Sequence, residues 1–237
     1  MLWIEHRDAW AQRKLGNISK SAVGGGTPDT SNSSYWNGSI PWLQSSDLIE
    51  NQISDVRPKK HITQAALTHS ATKRIPANSL TIIIRVGVGK LAIIPFEFTT
   101  SQDFLSLYQI DADLKFLSYI MLRKLNRELH EVQGTSIKGI TKSELLEKNI
   151  YLPNKPEQKK LGEMFFVLDN LLTLHKRKCE LLKNIKKSLL EKMFPKNGSV
   201  LPEVRFKGFT DAWEQRKLGD IATEITRTDA QSLIESV

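Results

Sequence analysis

Few residues in this sequence have the type and spacing that catalysis or metal binding requires. Its five histidines include no pair at the His-Glu-x-x-His spacing of helical zinc sites; they are His6, His61, His69, His130 and His175. One cysteine, Cys179, provides neither an internal disulfide nor a cysteine-based zinc site. We therefore expect a protein that is not an enzyme, with no catalytic residue, no metal ion and no cofactor.

The charge balance points to a polyanionic partner. The chain has 237 residues, with 34 Lys and Arg against 26 Asp and Glu, a formal net charge of +8. Such an excess favours nucleic acid first and a membrane surface second, because each neutralised phosphate releases counterions. There is no signal-peptide pattern at the start and no 18-residue apolar run. We expect a cytoplasmic protein with no membrane partner.

Polar and basic side chains on loops are the candidates for contacts with double-stranded DNA. Direct readout of base edges needs Arg, Lys, Asn, Gln or Ser presented to the major groove, flanked by basic residues for phosphates. The candidates are Gln44, Ser45, Arg57, Lys59, Lys60, Lys73, Arg74, Arg85, Lys90, Thr135, Ser136 and Lys138. Arg85 precedes and Lys90 belongs to the segment GVGKL at Gly87–Leu91, which has Leu91 where a phosphate-binding loop needs Ser or Thr. We interpret this segment as a glycine-punctuated strand or hairpin.

One short sequence occurs twice. The first box, Asp8–Ile18, and the second box, Asp211–Ile221, agree at nine of eleven positions with a constant offset of 203. We expect Trp10 with Leu15, and Trp213 with Leu218, to pack against their surroundings. Because a segment that reads sequence should differ between units, we interpret the box as a structural element that docks its unit onto the long helix or onto a partner subunit. The chain then contains one unit and the opening of another.

The region between the boxes predicts a mixed domain followed by a long helix. Residues 21–150 combine Gly and Ser turns, β-rich runs and an amphipathic helix near Ala112–His130. The segment YWNGSIPW predicts a hairpin turn at Asn37-Gly38, and we expect Tyr35, Trp36 and Trp42 around it to be packing residues, with base contact as the alternative. From Glu157 to Phe194 the pattern is helical and ends before Pro195. The predicted fold class is α+β: a mixed α/β domain followed by a long coiled-coil helix.

The long helix carries a heptad stripe. Its apolar residues alternate at spacings of three and four, with His175 and Lys178 crossing the middle; they are Leu161, Met164, Leu168, Leu171, Leu182, Ile185 and Leu189. A stripe of this length needs a second helix, and the chain offers no other of matching length. Another chain, or the long helix of a second repeat unit, is therefore the expected partner, and packing back on the α/β domain is the alternative.

Four stretches together resemble the specificity (S) subunit of type I restriction-modification systems. They are the repeated box, GGTPDTSNSSYWNGSIPWLQSSDL at Gly25–Leu48, GTSIKGITKSELLEKNIYLP at Gly134–Pro153, and the long helix. The resemblance implies a target-recognition domain over residues 1–153 and a spacer and dimerisation helix over 154–196. Residues 197–237 would begin a second, truncated unit. In such subunits, the loop matching Gly134–Lys138 precedes the last helix of the recognition domain, and the variable middle carries specificity.

The resemblance also implies partners. The chain would direct adenine methylation and cleavage, by separate modification (M) and restriction (R) subunits, to a bipartite DNA site. With a single recognition domain, it would form a homodimer through the spacer helix and read an interrupted palindrome. A stand-alone DNA-binding decoy or regulator, and an inactive fragment of a recombining cassette, are the alternatives left open by the sequence.

Overall fold

The structure, a computed structural model, describes residues 10–131, 139–196 and 198–220. The chain divides into two compact units between Leu171 and Leu172, within its longest helix. The first unit combines sheets and helices, and the long helix follows them. This arrangement confirms the predicted α+β fold class.

Nine strands and five helices occur in the described residues. The strands are β1 (Ala11–Lys14), β2 (Ser19–Gly24), β3 (Trp36–Leu43), β4 (Lys60–Ile62), β5 (Ser79–Ile83), β6 (Leu91–Ile94), β7 (Thr99–Thr100), β8 (Phe104–Ile110) and β9 (Asn149–Leu152). The helices are α1 (Leu15–Ile18), α2 (Gln64–His69), α3 (Leu114–Glu131), α4 (Lys142–Leu146) and α5 (Lys155–Met193). The predicted helices near Ala112–His130 and Glu157–Phe194 correspond to α3 and α5.

An antiparallel sheet forms the centre of the first unit. Its strand order is β2-β8-β5-β6, and all five residues of β5 are buried. Helix α3 presents Leu117, Met121 and Leu125 at four-residue spacing, each fully buried in the same core as Leu80 and Leu107. This periodicity is that of a helix with one apolar face. The packed sheet and helix hold the loops at their ends in fixed positions.

A second sheet has the order β4-β3-β7 and corrects one sequence expectation. Asn37 and Gly38 lie within β3, at a register shift in its pairing with β4, where both Trp36 and Ile40 align with Ile62. Asn37 does adopt a positive φ of 61°. The prediction of a hairpin turn was wrong because this conformation forms a bulge inside a strand, where one strand accommodates extra residues.

The first box closes the domain. Its strand β1 pairs antiparallel with β9, and Leu15 and Ile18 of α1 are fully buried. Arg13 forms a 3.0 Å ion pair with Asp111, and Lys14 pairs with Glu147. Hydrogen bonds from Lys155 and Arg13 lower the pKa of the Asp111 carboxyl to about 2. The box is therefore a structural element that docks the start of the domain onto its end, on β9, and not onto the long helix as the sequence interpretation proposed.

The second box has a different environment in the second unit. The ring of Trp213 lies 5.7 Å from that of Phe194, and the backbone N–H of Trp213 donates to the carbonyl of Val200. Leu218, the counterpart of Leu15, is 79% exposed, and residues 212–217 form no strand. The expectation that Leu218 packs was wrong for the described residues, because no counterpart of β9 pairs with this segment.

Helix α5 starts at a polar cap and continues for 39 residues. Asn154 Oδ1 accepts a hydrogen bond from the Glu157 N–H, and Pro156 lies in the first turn, where its missing N–H costs nothing. Pro195 follows the last turn. Within the described parts of the chain, no helix has the length and apolar character needed to cross a membrane.

The two boxes provide a matched test of this description. Leu15→Ala should lower the free energy of unfolding by about 2–5 kcal/mol, because it removes a fully buried side chain. Leu218→Ala, at the equivalent position, should change it by less than about 0.5 kcal/mol. Urea unfolding followed by tryptophan fluorescence measures both variants. Equal losses in the two would contradict the assignment of one docked and one undocked box.

Candidate nucleic-acid interface

Two of the candidate segments, distant in sequence, lie side by side. The turn between β5 and β6 is closed by the Ile83 N–H donating to the Lys90 carbonyl at 2.9 Å. This antiparallel pairing confirms the interpretation of GVGKL as part of a hairpin. Gly87 has a φ of 90°, and a Cβ placed on it would lie 3.9 Å from the Cβ of Ser45. The turn therefore approaches the Gln44–Ser45 segment.

A third segment, at Gly139 and Ile140, lies beside the turn between β5 and β6. The Ile140 N–H donates to the Ile84 carbonyl at 2.7 Å, and a Cβ on Gly139 would lie 3.5 Å from the Cα of Arg85. Gly139 is the first described residue after the loop that carries Thr135, Ser136 and Lys138, and these three lie outside the described residues. We refer to Gln44, Ser45, residues 84–90 and Gly139 as the loop cluster.

Asp47 holds one edge of the loop cluster. Its Oδ2 accepts a hydrogen bond from the Gln44 N–H at 3.0 Å, and its own N–H donates to the Gln44 carbonyl at 2.9 Å. Asp47 is only 7% exposed, so it cannot reach a partner, and its role is to fix the turn that presents Gln44 and Ser45.

A lysine–tryptophan cluster, formed by Trp36, Trp42, Lys59 and Lys60, lies on the β3–β4 sheet. Lys60 Nζ is 5.6 Å and 5.8 Å from the ring centroids of Trp36 and Trp42, which meet edge to face. Both indole N–H groups donate to backbone carbonyls, and Trp42 is 4% exposed. The tryptophans thus pack as structural residues, as expected, while the two lysines and Asn37 line a pocket of about 280 Å³.

The remaining basic candidates separate into paired and unpaired cations. Arg57 pairs with Asp55 at 3.2 Å, and Arg74 pairs with Glu97 at 3.0 Å and with the Gln64 side chain. Besides Lys60, whose ammonium lies near the two tryptophan rings, four exposed or half-exposed candidates form no ion pair with any described residue: Lys59, Lys73, Arg85 and Lys90. An unpaired cation binds phosphate without first losing a carboxylate partner, so these four are the stronger candidates.

No group of three or more His, Cys, Asp or Glu side chains in the described part of the chain could hold a metal ion. The residues that the fold brings together in the loop cluster are instead polar and basic, and they lie on loops next to a packed sheet. Such loops suit contact with a charged, extended partner.

Comparison with known proteins identifies the family. The family described as "Type I restriction modification DNA specificity domain" matches residues 7–184. The chain belongs to this family. The match includes the first box, the loop cluster and most of α5, and it confirms the resemblance drawn from the sequence and the prediction of a specificity protein rather than an enzyme.

Curated relatives of this specificity-domain chain are longer proteins. The chain is 29% identical over 225 residues to the type I restriction enzyme MjaIX specificity subunit of Methanocaldococcus jannaschii, covering 90% of this chain and 51% of the relative. It is 31% identical over 167 residues to the EcoR124I/EcoR124II specificity subunit of Escherichia coli, covering 67% and 41%. The chain thus spans about half the length of the curated relatives it matches.

Solved structures agree on the fold. The HsdS subunit of Thermoanaerobacter tengcongensis aligns with a TM-score of 0.55 at 20% identity, covering 81% of this chain and 46% of that one. The type I restriction-modification S subunit from M. genitalium gives a TM-score of 0.52 at 14% identity, covering 80% and 47%. A chain from a study of assembly of the type I R-M system gives 0.59 at 20% identity, covering 80% and 46%.

Sequence reasoning did not single out the residues that join α3 to α5. Gln158 and Gly162 are buried where α5 meets the start of α3, and Tyr119 donates a hydrogen bond to Asp169. The available signal was Gly162, because a glycine inside a helix is unfavourable unless close packing requires it. The polar partners could not be found, since they are separated from each other by about 45–50 residues.

Pairing within the chain predicts how two arginines differ on DNA. Arg85→Gln should flatten the dependence of log K on log salt by about one unit, because it removes one unpaired cation from the loop cluster. Arg74→Gln should change the slope by much less, since Glu97 and Gln64 already engage that guanidinium. Fluorescence anisotropy with a labelled duplex over a salt series measures both slopes. A larger change for Arg74→Gln would contradict the assignment of Arg85 to the interface.

Proposed function

We propose that the chain is the DNA-recognition component of a type I restriction-modification complex. It binds double-stranded DNA in the cytoplasm and directs adenine methylation and cleavage, by partner M and R subunits, to a bipartite site. The observation that carries this proposal is the family match over residues 7–184. The curated relatives are themselves named as specificity subunits of type I restriction enzymes.

The arrangement of the loop cluster supports a recognition role. Gln44, Ser45 and Arg85 supply the amide, hydroxyl and guanidinium groups that recognise base edges in the major groove. Lys59, Lys73 and Lys90 supply charge for phosphates, which positions a protein on DNA without reading sequence. Sequence-specific binding requires both kinds of contact: the loop cluster would provide the base contacts, and the lysines would provide the phosphate contacts.

The uncovered stripe on α5 supports pairing with a second copy. Leu161 is partly buried against the domain core, whereas the other stripe residues are from 39% to 53% exposed; they are Met164, Leu168, Leu171, Leu182, Ile185 and Leu189. Isolated exposed apolar residues are ordinary, but a continuous stripe of them at heptad spacing is the pattern of a helix that packs against another helix.

Two apolar grooves on α5 are mutual counterparts in an antiparallel pair. The first is lined by Lys159, Lys160, Glu163, Met164, Val167 and Leu168, and the second by Leu182, Ile185, Lys186, Leu189, Leu190, Met193 and Phe194. If two copies align so that paired residue numbers sum to 353, every residue of the first groove faces a residue of the second. A second copy of this chain is therefore the partner that fits both grooves at once.

The same register explains the two polar residues in the stripe. It pairs Met164 with the partner's Leu189, Leu168 with the partner's Ile185, and Leu171 with the partner's Leu182. The central layers then bring His175 and Lys178 of one chain opposite the partner's Lys178 and His175. A shift by one heptad in either direction would place these polar residues against leucine or isoleucine, and buried polar residues at such positions are known to fix register.

A two-fold axis through this pair predicts the form of the DNA site. Two identical recognition domains related by that axis contact identical half-sites on opposite strands. The complex should therefore recognise an interrupted palindrome, in which the paired helices set the number of unread base pairs.

Cysteine pairs test the register directly. In a Cys179→Ser background, a mixture of Leu171→Cys chains and Leu182→Cys chains should form a disulfide-linked dimer on oxidation, because these positions face each other across the antiparallel pair. Each single variant alone is the matched control and should remain largely uncrosslinked. Non-reducing electrophoresis and peptide mapping identify the link. A Leu171→Cys link to the same position of a second copy would indicate a parallel pair and contradict the proposal.

Mapping methylated adenine tests the function as a whole. The chain is co-expressed with its modification subunit in a methylation-free host, and N6-methyladenine is located across the genome by long-read sequencing. We expect methylation at one interrupted palindrome. An asymmetric motif would mean that a different recognition domain occupies the second half. An absence of methylation with soluble chain and an active modification subunit would contradict the proposal and favour a decoy or an inactive fragment.

A further inference from the structure

Three polar side-chain contacts, which we call ties, join α3 to the first turns of α5: Gln158 with Asp113, Lys115 with Glu163, and Tyr119 with Asp169. Gln158 is 3% exposed; its Oε1 accepts the Asp113 N–H at 2.9 Å, and its Nε2 donates to the Pro153 carbonyl at 2.8 Å. Asp113 Oδ1 in turn accepts the Phe116 N–H at 2.9 Å and so caps the start of α3. The Gln158 side chain thus connects the N-terminal end of α3 to the N-terminal end of α5.

Gly162 lets the two helices approach closely. A Cβ at this position would lie 2.6 Å from Asp113 Oδ1 and 2.7 Å from the Phe116 nitrogen, closer than any real side chain could sit. A glycine inside a helix costs roughly 1 kcal/mol relative to alanine. Its presence in the second turn of α5 is explained by this close approach.

A third tie lies two turns further along α5. The Tyr119 hydroxyl donates to Asp169 Oδ2 at 2.7 Å, and its ring packs 5.4 Å from that of Phe165. Between these ties, Lys115 reaches Glu163 at 3.4 Å. Burial raises the pKa of Tyr119 and the bond to Asp169 raises it further, so the hydroxyl remains a protonated donor at any working pH. From Gln158 to Asp169 the ties extend over about 17 Å of helix.

We propose that this contact, the α3–α5 joint, restricts the complex to a single spacer length between its two half-sites. The inference rests on the proposed function, in which paired α5 helices carry one recognition domain each. In that arrangement each domain transmits the geometry of the helix pair to DNA only through its joint. Tyr119 and Asp169 are positioning residues, since neither belongs to the loop cluster or the lysine–tryptophan cluster.

The geometry of DNA explains why a stiff joint discriminates between spacers. One additional base pair moves a half-site by about 3.4 Å along the axis and rotates it by about 34–36°. A domain can follow only by tilting and twisting relative to α5. Three ties spread along the helix oppose both motions, whereas a single tie at Gln158 would act as a pivot. Loss of the outermost tie should therefore relax spacer selection before it reduces binding.

Three substitutions at the outermost tie test the proposal in the complete complex with the modification subunit. Tyr119→Phe and Asp169→Ala remove the hydrogen bond, while Asp169→Asn keeps an oxygen that accepts it. Tyr151→Phe, an exposed tyrosine of β9, is the matched control. The readout is the ratio of N6-methyladenine at sites with one base pair more or fewer to that at sites with the native spacer.

We expect Tyr119→Phe and Asp169→Ala to raise this ratio about tenfold, as suits the loss of one hydrogen bond to a charged group. Asp169→Asn, which keeps a neutral acceptor in place of the charged one, should raise the ratio less than these two variants do, and Tyr151→Phe should match the wild type. A ratio that stays at the wild-type value in both Tyr119→Phe and Asp169→Ala would contradict the proposed role of the joint. An equal loss of methylation at all spacers, with no change in the ratio, would contradict it as well. If the wild-type complex methylates no bipartite site, the proposed function is wrong, and the proposed role of the joint is wrong with it.

Discussion

The organisation of this protein depends on an apolar stripe that its own described residues leave uncovered. Helix α5 continues for 39 residues, and after Leu161 its stripe faces outward. Covering such a stripe is favourable at about 25 cal/mol for each Å² of apolar surface removed from water. In the proposed register, each groove faces the other groove and the polar layers face each other. In the proposed arrangement, that single requirement sets the partner, the two-fold axis and the symmetry of the DNA site.

The first unit is organised to present loops from a rigid base. The first box closes it by pairing β1 with β9, and the ion pairs of Arg13 and Lys14 reinforce that closure. The central sheet and α3 carry the core, and three sequence-distant segments converge beside Arg85 without belonging to either. A stable core with variable loops separates folding from recognition, so that residues in the loop cluster can change without loss of the fold.

Sequence patterns predicted the elements that depend on local periodicity. The heptads located α5 to within two residues at each end, and the amphipathic pattern located α3 equally well. Local patterns failed where the outcome depends on a distant partner. Asn37 has the expected positive φ, but its pairing with β4 makes a bulge instead of a turn. Leu15 and Leu218 occupy the same place in nearly identical boxes, yet only Leu15 has a β9 beside it. The ion pair between Arg74 and Glu97 could not be predicted from the sequence either, because 23 residues separate them.

The central claim is that the loop cluster reads DNA while α5 does not. Hydrogen exchange of the chain bound to its modification subunit, with and without a duplex carrying the methylated site, measures this most directly. The account predicts that DNA slows exchange at residues 44–46 and 84–90 and leaves α5 unchanged. Protection confined to β1 and β9, or to α5, would contradict it.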